Sequence, residues 1–249
     1  MCYCYADRKE EGGHFYIVIP TEVEGSENMK EKVTPTQKAL NLWAVILIVW
    51  AFYRNYLKMP LWFDEFIAKP LVFVLPVFYY IKKIDNKKIS EYLYLRFKLR
   101  ELINDFFYGL GIGLAFYLTG ISASYYRLGK LIFFQKTPSF SALAYILIIS
   151  LATGITEEIL SRGFVLRKLY EESKNVLSAT FFASILFFFL HVPILFTNTK
   201  ITGQMLILFM ATDMLLSMVN GLIFLQKKSL VIPILIHTFY NVVIALTFL

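Results

Sequence analysis

The 249 residues are 57% hydrophobic and 17% charged, with a mean hydropathy of +0.59, whereas a soluble domain carries about 25% charge and about 45–50% apolar residues. That balance argues against a soluble enzyme, a disordered regulator and a disulfide scaffold, and the long apolar runs predict an all-α, polytopic membrane protein. A net charge of +7 would suit a phosphate-binding protein, but the 25 Lys and Arg alternate with long uncharged segments. They form no basic groove and no recognition motif, so no nucleic-acid partner is expected.

Residues 1–38 are polar, and they hold none of the short apolar run that a cleavable signal needs. They are expected to form a loosely ordered cytoplasmic segment ahead of a transmembrane domain over 39–249. Cys2 and Cys4 make a lone Cys-x-Cys, a weak basis for either a metal or a disulfide. The apolar runs that follow predict helices over Ala39–Tyr53, Leu61–Ile81, Phe106–Tyr126, Thr137–Thr156, Asn175–Thr199, Ile201–Gln226 and Ser229–Leu249. A span takes about 20 mostly apolar residues, which gives about seven crossings. The second run is the least regular, because Asp64, Glu65 and Lys69 lie near its start.

Basic residues are retained on the cytoplasmic side. Alternate loops, counted with the N-terminal segment, hold 18 Lys and Arg; the opposite set holds 7, with Lys69 taken as an outer boundary charge. The N-terminus is therefore expected inside and the C-terminus outside. Lys82 to Arg100 reads either as an interfacial helix on an anionic leaflet or as a solvated loop.

Titratable groups within the hydrocarbon core cost about 2.5–3.5 kcal/mol each on insertion scales, so four sets of them need a reason. Glu158 and Arg162 are one turn apart and face each other for pairing, while Glu157 points about 100° away, free to act as a general base. His191 follows Phe187 by one turn. His237 and Asn241 share one face of the last helix; taken alone they read as a polar clamp between helices, and both also carry N–H donors of the kind that stabilise an oxyanion. Asp213 has no assigned partner.

Depth links them. If the fourth helix continues to Leu166, Glu157 lies about 15 Å in, His191 about 21 Å, and His237 and Asn241 about 10 and 16 Å, at the α-helical rise. One polar site on three helices is expected.

These residues carry a resemblance. Glu157-Glu158-Ile-Leu-Ser-Arg162, Phe187-Phe-Phe-Leu-His191 and His237-Thr-Phe-Tyr-Asn241 read as EExxxR, FxxxH and HxxxN. In that order and spacing, over about residues 140–245, they resemble the CAAX protease and bacteriocin-processing family of intramembrane endopeptidases, which includes the type II CAAX prenyl endopeptidases. Asn220-Gly221 opens a stretch similar to the family's text before the last motif.

The resemblance implies that Glu157 activates a water, with His191 helping to hold it. His237 and Asn241 would form the oxyanion hole, and Glu158 and Arg162 would support the first glutamate. It favours a metal-free mechanism. A zinc site on Glu157, His191 and His237 is the alternative, since three ligands and an open position would suffice. The expected partners are membrane lipids and a membrane-associated protein or peptide substrate. A transporter or channel using Glu157, His191 and Asp213 as a relay, or a catalytically silent scaffold or immunity protein of the same fold, are the rival readings.

Overall fold

The computed structural model describes residues 33–95, 98–129, 138–197 and 203–248, all of them helices and connections with no strand among them. The long helical segments are α1 (Pro35–Tyr56), α2 (61–84), α3 (Leu99–Leu128), α4 (Phe140–Ser173), α5 (Val176–Thr197), α6 (Gly203–Lys227) and α7 (Val231–Phe248). Pro35–Tyr56, Leu99–Thr119, Phe140–Ser173 and Val176–Pro193 are long and apolar enough to cross a membrane, and Val231–Leu246 is a shorter apolar helix. The all-α membrane architecture expected from the sequence is present, while the figure of seven spans goes beyond what the length and composition of these helices give. Exposed apolar side chains such as Val45, Ile48 and Phe52 on α1, and Phe181 and Phe182 on α5, suit contact with lipid rather than water.

Local chemistry sets the helix ends. Thr34 caps α1 by accepting from the Gln37 amide at 3.2 Å, while the Gln37 side chain accepts from the Thr34 amide at 2.9 Å; with Pro35 in the first turn, this is a capping box with a preset first φ. Helix α1 therefore starts ahead of the apolar run that announces it. Ser139 caps α4 and Asn175 caps α5 through the Ser178 amide. Lys82–Arg100 is not one interfacial helix. α2 runs on to Ile84 and α3 begins at Leu99; among the described residues between them Ile89–Tyr92 is the one helical turn, and Asn86 and Tyr94 have φ near +50°. Arg167 pins the segment, lying 4.1 and 4.4 Å from the rings of Tyr92 and Tyr94 and donating to the Tyr92 carbonyl.

Among the described residues, two helices depart from α-helical winding. In α2, Asp64–Ala68, Pro70–Val74 and Tyr80–Ile84 are π-helical, and the Lys69 amide bonds the Asp64 carbonyl five residues back. Pro70 and Pro76 lack the amides that would close ordinary turns. In α4 the π-helical stretch is Ile159–Leu166, directly after the paired glutamates. Such widened turns recur at functional sites.

Helix α7 packs on α3 and α4, α5 on α6, and α1 on the C-terminal turns of α4 and on α5. Close approach depends on glycine. A Cβ at Gly113 would lie 2.5 Å from Phe239 Cβ, and one at Gly109 would lie 2.7 Å from Leu235 Cβ, a small-xxx-small seam of α3 against α7. A Cβ at Gly154 would lie 3.0 Å from the Ile234 carbonyl, so α4 and α7 touch one turn before the glutamates.

Candidate active site

Glu157 and Glu158 end the α-helical part of α4 and are 4% and 0% exposed. Adjacent residues on a helix diverge by about 100°, so the two carboxylates serve different neighbours. Glu158 Oε1 collects three donors: Arg162 Nη1 at 3.0 Å, Asn220 Nδ2 at 3.0 Å and His237 Nδ1 at 2.8 Å. The expected Glu158–Arg162 pair is present, and it extends to α6 and α7. Asn220 also donates to the Pro233 carbonyl at 3.2 Å, fixing the start of α7.

Glu157 faces the other way and is not the free carboxylate that the sequence reading expects. Lys69 on α2 donates to its Oε1 at 2.7 Å. Lys69 is itself buried, at 4% exposure, and so is not an outer boundary charge. Glu157 Oε2 has no hydrogen bond among the described residues. It looks toward two imidazoles, His191 Nε2 at 3.5 Å and His237 Nε2 at 3.8 Å.

Each imidazole is oriented from its far side. His191 Nδ1 lies 3.1 Å from the Phe187 carbonyl and 3.4 Å from Asp213 Oδ2, which gives Asp213 the partner it lacked in the sequence. Both neighbours accept, so Nδ1 carries the hydrogen and Nε2 is an acceptor in the neutral ring. By the same logic His237 donates Nδ1–H to Glu158. The Phe187 ring forms the wall between them: its centroid is 4.8 Å from that of His191 and 5.8 Å from that of His237. On its other contact Arg162 Cζ lies 4.5 Å from the ring centroid, within cation–π range.

Glu157, Glu158, Arg162, His191 and His237 thus converge. Asn241 is half-buried one turn beyond His237 and takes part in none of these bonds. Sequence reasoning missed Lys69 and its partner Glu65, and it noted Asn220 only as connecting text. The signal for the first two was a Glu and a Lys one turn apart within an apolar run.

Four acids (Glu65, Glu157, Glu158, Asp213) and two cations (Lys69, Arg162) are buried beside the two histidines. Such a cluster can hold a polarised water and pass a proton. Among the described residues no group of three or more His, Cys, Asp or Glu stands in a metal-holding arrangement.

No curated protein and no solved structure matches the chain. Residues 139–243, which carry all three motifs, match the family model described as type II CAAX prenyl endopeptidase Rce1-like, the group that the motifs point to.

Proposed function

We propose that the chain is an intramembrane endopeptidase that hydrolyses a peptide bond of a membrane-associated protein or peptide, with C-terminally prenylated CAAX-type chains as the substrate class that the family description suggests. The observation that carries this reading is the approach of two imidazole Nε2 atoms to one unbonded carboxylate oxygen, at 3.5 and 3.8 Å from Glu157 Oε2. Those separations suit a water shared by the three atoms.

In the proposed reaction one O–H of the water points to Glu157 Oε2 and the other to His191 Nε2, leaving a lone pair for the substrate carbonyl carbon. Glu157 takes the proton as the C–O bond forms. The carbonyl π electrons move onto oxygen, where His237 and Asn241 are the proposed donors. To donate there His237 takes a second proton at Nε2, with its Nδ1–H still held by Glu158. Collapse breaks the C–N bond, and the proton held by Glu157 passes to the leaving amine. Glu158 and Arg162 act as positioning residues.

The proposal includes no metal: the water is activated by carboxylate and imidazole alone. With the buried site residues Lys69 and Arg162 left out, the excess of 17 over 6 basic residues supports a cytoplasmic N-terminus and a site opening to that side.

The test compares wild type with Glu157→Gln in detergent, using quenched-fluorescent peptides with and without a C-terminal prenyl chain. Cleavage by wild type and none by the variant is the expected result. Equal cleavage by both would remove Glu157 from the chemistry.

A further inference from the structure

Lys69 belongs to α2, outside residues 139–243 that match the family, yet it touches the carboxylate at the centre of the site. Its ammonium has three N–H donors, and three oxygens receive them: Glu65 Oε1 at 2.7 Å, Glu65 Oε2 at 2.8 Å and Glu157 Oε1 at 2.7 Å. Lys69, Glu65 and Glu157 are each no more than 5% exposed.

Glu65 is fixed independently by Thr153, one turn before Glu157 on α4, which donates to Glu65 Oε2 at 2.7 Å. The ring of buried Trp50 on α1 lies 6.0 Å from the ammonium. Two helices preceding the family-matched segment, α1 and α2, therefore supply the surroundings of the ammonium that Glu157 meets. The geometry is selective: Lys69 takes Oε1, so the oxygen left without a hydrogen bond is Oε2, the one facing both histidines.

We propose that Lys69 is a positioning residue for Glu157, the counter-ion that occupies Oε1 and thereby presents Oε2 to the histidines, with Glu65 and Thr153 holding the ammonium in place. This rests on the reading of Glu157 as the base. The competing role is purely structural, in which Lys69 does no more than neutralise the buried Glu65.

The two roles part in a double variant. Lys69→Met leaves two buried carboxylates without their cation, whereas Glu65→Gln/Lys69→Met removes a neutral pair and serves as the more stable comparison if the single variant folds poorly. With a quenched-fluorescent farnesylated CAAX peptide in detergent, both variants are expected to lose about 100-fold in kcat, the scale of a displaced reacting group, with KM nearly unchanged. The double variant should regain part of the melting temperature lost in the single variant but not kcat. Recovery of kcat in the double variant would overturn the proposal.

A second measurement does not need turnover. A buried carboxylate stripped of its counter-ion takes up a proton, so the infrared spectrum of the double variant should gain a protonated-carboxyl band that disappears when Glu157→Gln is added. Absence of that band would also overturn the proposal. If Glu157→Gln alone cleaves like wild type, the hydrolytic reading fails, and the infrared comparison still decides whether Lys69 is the counter-ion of Glu157.

Discussion

His237 Nδ1 stands 2.8 Å from Oε1 of Glu158, an oxygen that also accepts from Arg162 and Asn220. One fully buried carboxylate therefore ties α4 to α6 and α7 and sets which nitrogen of His237 turns toward Glu157. Glu158→Gln keeps the shape but removes the charge that three donors share. Breaking a buried pair by removing one partner costs about 3–5 kcal/mol. Thermal unfolding in detergent should show a loss on that scale, together with loss of peptide cleavage.

Phe187 is 1% exposed and contacts Arg162 and both imidazoles. Phe187→Ala should cost about 3–5 kcal/mol, in the range for an aromatic removed from a core, and Phe187→Leu less. Both should lower kcat, because the two histidines lose their common wall; unfolding and steady-state kinetics on the same preparations check this.

Asp213 is 3% exposed and faces Nδ1 of His191. Asp213→Asn preserves volume but leaves the Phe187 carbonyl as the charge-free guide for that ring. Expected is a roughly 10-fold fall in kcat with KM unchanged, a fraction of the ~10²–10⁴-fold that positioned proton transfer contributes. A wild-type kcat would remove Asp213 from the positioning of His191.

The glycines of α3 give a paired contrast. Gly113→Leu drives a side chain into Phe239, 2.5 Å from where its Cβ would sit, while a Cβ at Gly111 meets nothing within 4 Å. Overpacking costs about 1–3 kcal/mol, so Gly113→Leu should lower the melting temperature. Gly111→Ala should hold or raise it through helix propensity.

Exhaustive chelation should leave cleavage intact if carboxylate and imidazole suffice to activate the water. Loss of activity restored by zinc, and not by other divalent ions, would assign Glu157, His191 and His237 to a metal instead.

The parts of the site legible in the sequence are those in which one turn of one helix contains the whole relationship. Glu158 with Arg162, and Phe187 with His191, are one turn apart and meet as that spacing requires. Lys69, Asp213 and Asn220 each bind a group on another helix, and no local spacing encodes such a contact. Helix boundaries shifted for a related reason. An apolar run marks where hydrocarbon suits the side chains, but α3 begins at Leu99 and carries Arg100, Glu101 and Asp105 in its opening turns, since backbone hydrogen bonding continues wherever capping and propensity allow. The π-helical turns of α2 and α4 likewise lie outside any reading based on a uniform period of 3.6.

Lys69 and Glu157 are 88 residues apart in the chain, so α2 is synthesised well before the carboxylate that its lysine will hold. During that interval the ammonium has Glu65, one turn away on the same helix and 2.7 Å distant in the finished protein. The two enter as a matched ion pair, which lowers the cost of committing either to an apolar surrounding. Glu157, made later, meets a cation already in position. The charge of Lys69 on the nascent α2 is thus balanced within its own helix, whereas Asp64 on that helix pairs with Arg54 of α1, and the same lysine then joins the two halves of the chain when α4 arrives.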